Sequence, residues 1–295
     1  DEPEGLEGKS CLAGMHALLL GGVGEDPRDM KHAGCGAALR ASLEAYGMVV
    51  KHLPPVFIGA GNVEKVKEDL QRTRNIDPEV MDNMETDIEF IPGSKVRWGW
   101  GDVGCLLSHA AAWKYAADRG LGAAVIFEPD AVLGPGFDEG FCMEWDRRPR
   151  LGHAFFLGYN VAGGIKSRYC CSHHADGRAC GAWNPSGATA QGPAAVTTYG
   201  THAYAVTAAG SKFLYSRLLD KWFPNLEEVI YKSKEVFHFG QSIHPAHHDL
   251  ANPEVLSEGM PAWLKDHVQC GMAYQDPTCG SVREVKNAGR GGGGG

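Results

Sequence analysis

Two carboxylates separated by a single residue follow an apolar run in the middle of the chain. Glu128 and Asp130 come directly after the residues AAVIF, with Pro129 between them. Acids spaced in this way on a turn after a strand can hold a hard divalent cation such as Mg²⁺ or Mn²⁺, which usually shares its ligands with substrate phosphates. The pair therefore suggests a nucleoside-diphosphate site. The alternative is that the two acids only begin a solvated turn.

The segments around these acids predict a helix followed by a buried strand. Apolar residues recur every three to four positions between Val103 and Ala117, which predicts a helix that Asp102 caps and Gly120 ends. The run AAVIFE (123–128) is typical of a strand that is buried on both faces. Ligands of open parallel sheets bind beyond the carboxyl ends of the strands. The helical side chains expected to pack on the sheet are Leu106, Leu107 and Trp113.

The rest of the chain continues this alternation of strands and helices. A strand, a helix and a further strand at this spacing predict a right-handed crossover and a parallel sheet. The stretch 74–100 is expected to be irregular. The other predicted strands are MHALLLGG (15–22), an extended run after Gly47, HAFFLGYN (153–160) and THAYAVT (201–207), and the other predicted helices are 28–47, 62–73 and one that follows 207.

Length and composition describe an ordinary globular protein. The chain has 295 residues, 43% of them hydrophobic, and a formal net charge of -8. This charge argues against a broad nucleic-acid surface, since binding phosphates over such a surface needs clustered Lys and Arg. No apolar run reaches the length of about 18 residues that would suggest a membrane span.

The predicted organisation is one large α/β domain with additions. We assign 1–9 to an N-terminal segment, 10–260 to the domain, and 261–295 to a C-terminal extension that ends in a glycine-rich tail. Within the domain, 161–198 is too long for a plain connection and is predicted to be a lid or an insertion.

Nine cysteines suggest an oxidising compartment, such as the lumen of the secretory pathway or an organelle. The group expected to form disulfides is Cys170, Cys171, Cys180, Cys270 and Cys279. The remaining group, in helical or apolar contexts, is expected to consist of small buried residues and comprises Cys11, Cys35, Cys105 and Cys142. The loop 170–180 also offers His173 and His174 for a zinc site, but it lacks paired C-x-x-C spacing.

The segment GDVGCLLSHAAAWKYAADRGLGAAVIFEPDAVLGPGFDEGF (101–141) resembles the central part of family 25 glycosyltransferases, the lipooligosaccharide and collagen galactosyltransferase group. That family has a G-x-x-G-C-x-x-S-H helix, a Trp, and an apolar strand that ends in E-D-D. The segment YGTHAYAVTAAGSKFL (199–214) resembles a later motif of the family. The matching residues are Gly101, Gly104, Cys105, Ser108, His109, Trp113, Glu128, Asp130, Gly200, Thr201, Ala203, Tyr204 and Gly210, while Pro129 replaces the middle acid.

The resemblance implies an A-type glycosyltransferase fold with a mostly parallel central sheet flanked by helices. It also implies a nucleotide-sugar donor, Mn²⁺ or Mg²⁺ as cofactor, and a glycan or protein hydroxyl as acceptor. Glu128 would face the donor ribose or the metal, and Asp130 would bind the metal. Ser108 and His109 are candidate donor-binding residues, although a structural hydrogen-bonded pair on the helix explains them equally well.

A late His or Asp completes the metal shell in many A-type transferases, and an enzyme that inverts also needs a base for the acceptor hydroxyl. His248 is our candidate for the third metal ligand and Asp249 for the catalytic base. Both lie in HPAHHDL (244–250), where the spacing selects neither of them over His244 or His247.

Two further functions compete with transfer. A transferase-like domain that has lost its middle acid could be a structural or accessory subunit of a larger assembly, because a fold does not guarantee activity. A nucleotide-sugar hydrolase or binding module would keep the donor site but lack an acceptor groove. Convergence of Glu128 and Asp130 with a residue of 244–249 would favour the enzyme.

Overall fold

The computed structural model describes most of the first 161 residues and parts of the remainder. The described residues are 10–22, 30–59, 61–74, 87–91, 94–97, 99–134, 136–151, 153–161, 198–199, 201–220, 226, 229, 268–271 and 273–275.

Within the described ranges, twelve strands form one large sheet and three small ones. They are β1 His16–Leu20, β2 Val49–Leu53, β3 Asp87–Ile91, β4 Ser94–Arg97, β5 Ala123–Phe127, β6 Ala131–Leu133, β7 Ala154–Phe156, β8 Gly158–Val161, β9 Thr198–Tyr199, β10 Ala203–Thr207, β11 Val268–Gly271 and β12 Ala273–Gln275. The helices among the described residues are α1 Met30–Ala45, α2 Val63–Arg74, α3 Trp100–Asp118, α4 Phe137–Leu151 and α5 Ala208–Asp220.

The large sheet has five strands in the order β2-β1-β5-β10-β7. Strand β1 pairs in parallel with both β2 and β5, while β10 is antiparallel to β5 and to β7. Four strands therefore share one direction and β10 alone is reversed. The predicted crossover from β1 through α1 to β2 is confirmed, as is the mixed α/β fold with a mostly parallel sheet flanked by helices.

A separate hydrophobic core covers each face of the sheet. Residues of β5 pack alternately into one core and the other, because successive side chains of a strand point to opposite faces. Burying a Leu, Ile or Phe side chain completely stabilises the folded state by about 1.5–3 kcal/mol relative to leaving it exposed. The first core joins Ala124, Ile126, Tyr204 and Val206 to Leu106 and Trp113 of α3 and to Leu214 and Leu218 of α5. The second joins Val125, Phe127, Ala203 and Ala205 to Leu39 and Leu43 of α1 and to Phe137 and Phe141 of α4.

Helix α3 confirms most of the prediction made for it. Leu106 and Trp113 are fully buried in the core under the sheet, but Leu107 packs instead beside Ile58, Leu70 and Val103, away from the sheet. The helix begins two residues before Asp102, whose carboxylate accepts a hydrogen bond from the N–H of Gly99 at 2.7 Å. Asp102 thus caps the helix from within its first turn rather than from the residue before it.

Two predictions of local structure were wrong. Residues 87–97 contain the antiparallel pair β3 and β4, within a stretch expected to be irregular. The single strand expected at 153–160 is two strands, since β7 stays in the large sheet and β8 pairs with β9 and β11. Both errors arise because strands of three to five residues carry too short a pattern to locate. In the predicted C-terminal extension, Val268–Gly271 and Ala273–Gln275 pair as β11 and β12 with β8 and β6.

Two motif residues of α3 hold the segment that follows β2. A Cβ on Gly104 would lie 2.5 Å from the carbonyl oxygen of Val56, so the helix approaches this backbone more closely than any other residue would allow. Ser108 donates from its hydroxyl to the Gly104 carbonyl and accepts from the N–H of Val56, each at 2.8 Å. Gly104 and Ser108 therefore lock the helix to the loop beyond β2.

The cysteine prediction needs correction. Cys11 and Cys142 form a disulfide, with Cα atoms 5.5 Å apart, and Cys35 is also disulfide-bonded. Cys105 is buried and is not disulfide-bonded, as expected. The Cys11–Cys142 bridge spans 131 positions and ties the segment before β1 to α4. Such a partner cannot be identified from the local apolar context of either cysteine.

Among the described residues, we find no helix with the length and apolar character needed to cross a membrane.

The close approach of α3 to Val56 predicts the effect of Gly104→Ala. The added methyl group would overlap a backbone carbonyl that cannot rotate away, so we expect a loss of about 1–3 kcal/mol in the free energy of unfolding. Gly34→Ala on α1 is the matched control, because its Cβ would meet nothing within 4 Å. The control is expected to be neutral or to gain about 0.4–1 kcal/mol. Urea titration of both variants measures the difference, and equal stabilities would contradict the packing described.

The disulfide predicts a second effect on stability. Removing a cross-link over so long a loop frees the unfolded chain, so Cys142→Ser is expected to lose about 2–4 kcal/mol. Because the two cysteines act as one unit, Cys11→Ser combined with Cys142→Ser is expected to lose little more than either single change. Single variants that unfold at the urea concentration of the parent would show that the bond does not form.

Candidate functional site

The two carboxylates stand on a β-turn at the edge of the large sheet. The carbonyl of Glu128 accepts a hydrogen bond from the N–H of Ala131 at 3.1 Å, which makes Pro129 the second residue of the turn. Proline is favoured at this position, since its fixed φ suits the turn and its missing N–H is not needed there. No described peptide bond is cis. The peptide bond before Pro129 is therefore trans.

Both acids of the turn are buried. Glu128 is 5% exposed and Asp130 is 1% exposed. The alternative that they begin a solvated turn is therefore wrong, and Asp130 is not a surface acid. Burying ionised carboxylates is costly unless they have hydrogen bonds or opposite charges, so the surroundings of the turn matter for its chemistry.

The register of β10 brings a threonine to Glu128. Because β10 is antiparallel to β5, with Ala203 opposite Phe127, the residues before β10 lie at the edge where β5 ends. The N–H of Glu128 donates to the carbonyl of His202 at 2.8 Å. The hydroxyl of Thr201 donates to Glu128 Oε1 at 2.7 Å. Strand pairing thus supplies one hydrogen bond to the buried carboxylate.

Helix α3 brings a histidine to the same oxygen. Glu128 follows Ala124 and Ile126 at alternate positions, and these face α3. His109 is fully buried, and its Nε2 lies 3.3 Å from Glu128 Oε1. Cys105 is one helical turn before His109 and is also buried. The helix therefore presents an imidazole and a thiol to the end of β5.

Tyr204 and Trp113 continue the contacts behind His109. The Tyr204 hydroxyl lies 2.8 Å from His109 Nδ1 and accepts a hydrogen bond from Trp113 Nε1 at 2.9 Å. The Tyr204 and His109 rings are stacked, with centroids 5.6 Å apart. Burial raises the pKa of Tyr204 well above its usual value of 10.0, while the Trp113 hydrogen bond acts in the opposite direction. The hydroxyl thus keeps its proton at physiological pH and remains a donor.

A second buried histidine lies beside the turn. His202 Nε2 is 3.1 Å from the carbonyl oxygen of Ala273 in β12, which can only accept, so Nε2 carries the proton. Burial lowers the pKa of His202 below its usual 6.5, although the Ala273 hydrogen bond and the charge of Glu128 both act to raise it. His202 is therefore neutral at pH 7 and does not balance the charge of Glu128.

The structure brings some of the predicted site residues together. His109 contacts Glu128 at the end of β5, and Asp130 is buried in the same turn, whereas the Ser108 hydroxyl is engaged by the backbone of Val56 and Gly104. His248 and Asp249, the predicted third metal ligand and base, lie outside the described residues, as do the loop 170–180 and its proposed zinc ligands.

Three residues of the site were not recognised as such from the sequence: Thr201, His202 and Tyr204. Thr201 and Tyr204 are among the residues that match the family motif, and this match could have identified them as site residues. Nothing in the spacing of His202 distinguishes it from the other histidines.

One group of potential metal ligands is present among the described residues. The ligand atoms of Cys105, His109 and Glu128 all lie within 4.8 Å of one another. This group shares Glu128 with the predicted metal site but does not contain Asp130. A thiol and an imidazole are suited to Zn²⁺ rather than to Mg²⁺ or Mn²⁺, which prefer oxygen ligands.

Part of the chain matches a known family. Residues 60–161 match glycosyltransferase family 25, described as LPS biosynthesis protein. No curated protein matches the chain significantly. The crystal structure of mouse xyloside xylosyltransferase 1 in its apo form is similar at a TM-score of 0.32 and 11% identity, covering 82% of this chain and 84% of that one, a level that carries no argument. The match at residues 60–161 includes 101–141 and therefore confirms the resemblance of that segment to glycosyltransferase family 25.

Proposed function

We propose that this chain transfers a sugar from a nucleotide-sugar donor to a hydroxyl acceptor, with a divalent cation at the end of β5. The observation that carries the proposal is the turn 128–131, which places two buried carboxylates at the carboxyl edge of a mostly parallel sheet, inside the segment that matches family 25. Ligands of such sheets bind beyond this edge.

Glu128 is the proposed contact for the donor ribose or the metal. Its carboxylate is held by Thr201 and lies beside His109, so its orientation is fixed before a ligand arrives. A preorganised group of this kind does not lose side-chain freedom on binding. In this proposal Ser108 acts by fixing the position of α3, and His109 acts by fixing the position of Glu128.

Asp130 is the proposed metal ligand, with Mn²⁺ or Mg²⁺ as the ion. Two acids buried within one turn repel each other, and a divalent cation shared with a diphosphate would offset that repulsion. The bound ion would supply neutralisation of the diphosphate leaving group as the sugar–oxygen bond breaks. His248 remains our candidate for a third ligand, and Asp249 for the base that takes the proton of the acceptor hydroxyl.

The acceptor in this proposal is a hydroxyl of a glycan or of a protein. The Cys11–Cys142 disulfide supports placing the protein in an oxidising compartment, since such bonds are rare where thiols are kept reduced. The lumen of the secretory pathway is therefore the proposed location.

Pro129 raises the competing proposal of a decayed site in a structural subunit. The turn argues for an intact site, because Pro129 occupies the position where proline is favoured and where its missing N–H breaks no hydrogen bond. The outer acids remain buried on either side of it.

Asp130→Asn tests the metal assignment. With Mn²⁺ and uridine diphosphate at about 100 times the dissociation constant, the parent is expected to gain about 2.7 kcal/mol in the free energy of unfolding. The variant is expected to lose this gain, since an amide binds the ion far less well than a carboxylate. Thermal melts with and without the ligands measure both.

The matched control is Asp118→Asn, which changes a largely exposed acid of α3 that pairs with Lys114. It is expected to keep the full ligand-induced shift. Because Asp130 is buried, the melting temperature without ligands is compared separately, and only the shift is interpreted. Equal shifts in Asp130→Asn and the parent would contradict the assignment.

Pro129→Asp separates the intact site from the decayed one. Restoring the family acid is expected to change the affinity for uridine diphosphate and Mn²⁺ less than about tenfold, or 1.4 kcal/mol, because the second residue of the turn is not needed as a ligand. Pro129→Ala controls for loss of the ring, which is expected to cost about 0.4–1 kcal/mol of stability. Calorimetric binding by Pro129→Asp alone would favour the structural subunit.

A further inference from the structure

A continuous line of buried polar groups runs from α3 through β10 to Glu128. Trp113 Nε1 is 2.9 Å from the Tyr204 hydroxyl, which is 2.8 Å from His109 Nδ1. His109 Nε2 is in turn 3.3 Å from Glu128 Oε1. The side chains of all four residues lie in the interior, so these groups have little access to water and depend on one another.

The chemistry of the groups gives this line a direction. An indole N–H can only donate, so the Tyr204 oxygen accepts from Trp113 and its own proton is available for one further bond. Directed at His109, that proton meets Nδ1 as an acceptor, and the imidazole proton must then be on Nε2. Nε2–H faces the carboxylate of Glu128, which can only accept when ionised. Each donor then faces an acceptor, and the last link, from Nε2 to Glu128 Oε1 at 3.3 Å, is an electrostatic contact without hydrogen-bond geometry.

The opposite tautomer would leave a conflict. With the proton on Nδ1, the lone pair of Nε2 would face the carboxylate at 3.3 Å with no proton between them. Such a lone pair next to a buried anion is unfavourable unless a cation lies between the two. The Tyr204 hydroxyl therefore determines which ring nitrogen of His109 carries the proton, and so whether Glu128 faces an N–H group or a lone pair.

We propose that Tyr204, supported by Trp113, is a positioning residue that holds His109 with its proton on Nε2 and thereby orients the carboxylate of Glu128 for the donor. Thr201 and His109 both act on Oε1, so the two contacts together fix the plane of the carboxylate. The consequence for the donor rests on the proposed function, whereas the tautomer of His109 does not.

A bound metal is the competing explanation of the same geometry. The ligand atoms of Cys105, His109 and Glu128 lie close enough together to share an ion such as Zn²⁺, which would take the place of the proton on Nε2. Histidine ligands of metals usually donate from the other ring nitrogen. In that case Nδ1 would carry the proton and Tyr204 would accept it, so the two explanations differ in a measurable way.

The first experiment reads the tautomer directly. The full chain is labelled with ¹⁵N-histidine, and the ¹⁵N shifts distinguish protonated from unprotonated ring nitrogens; His109→Asn assigns the signal among the 13 histidines. We expect an unprotonated Nδ1 and a protonated Nε2 at His109, and loss of this single tautomer in Tyr204→Phe. A protonated Nδ1 in the parent, an unchanged tautomer in Tyr204→Phe, or one equivalent of tightly bound zinc by elemental analysis would overturn the proposal.

The second experiment reads the consequence for ligand binding. Tyr204→Phe is expected to weaken binding of uridine diphosphate with Mn²⁺ by about tenfold to a hundredfold, the loss typical of outer hydrogen-bond partners. The control Tyr215→Phe removes the hydroxyl of a half-buried tyrosine on α5 and is expected to bind as the parent does. Circular dichroism and melting curves confirm that both variants fold.

A conservative replacement of His109 separates positioning from a general loss of structure. In His109→Gln the side-chain amide can donate to Glu128 in the place of Nε2 without help from Tyr204. We therefore expect Tyr204→Phe to weaken binding much less in this background than in the parent. Equal losses in both backgrounds would contradict the positioning role. If the parent binds no uridine diphosphate, the proposed function fails. The tautomer measurement then still decides whether Tyr204 positions His109.

Discussion

The burial of the Glu128 carboxylate is the constraint around which the centre of the structure is arranged. An ionised acid that is 5% exposed is tolerated only with hydrogen-bonded partners. The antiparallel register of β10 supplies Thr201, and the face of α3 under the sheet supplies His109. One carboxylate thus ties together the end of β5, the start of β10 and the middle of α3.

Several family motif residues serve to hold α3 in place. Gly104 allows the helix to touch the carbonyl of Val56, and Ser108 binds the backbone on both sides of that contact. Gly210 plays a similar part in α5, since a Cβ there would lie 2.6 Å from the carbonyl oxygen of His153. The specificity of the motif therefore reflects close packing as well as chemistry. A shift of α3 would move His109 relative to Glu128.

The sequence predicted the elements whose patterns are long or strongly apolar. Helix α3 and strand β5 have a clear period and a clear boundary, and both were located correctly. The carboxylates at the end of β5 could be identified because a parallel sheet directs that end toward its ligand crevice. Their burial could not be predicted, because it depends on β10, which follows in the chain more than 70 residues later.

Features that depend on long-range pairing were missed. The Cys11–Cys142 bond joins positions 131 apart, and no local signal marks either cysteine as paired. Residues 87–97 form two short strands whose pattern is too brief to detect. The roles of Thr201 and Tyr204 follow from the register of β10 against β5, which a single sequence does not contain. The acids and His109 could therefore be located from the sequence, but Thr201 and Tyr204, which support them, could not.

The proposed function requires above all that the turn 128–131 is an intact donor site. The most direct measurement is the anomalous diffraction of manganese in crystals grown with Mn²⁺ and uridine diphosphate. We predict one peak at a coordination distance of about 2.0–2.2 Å from a carboxylate oxygen of Asp130, with the diphosphate beside it. A nucleotide bound elsewhere, or a manganese peak away from Asp130, would contradict the account.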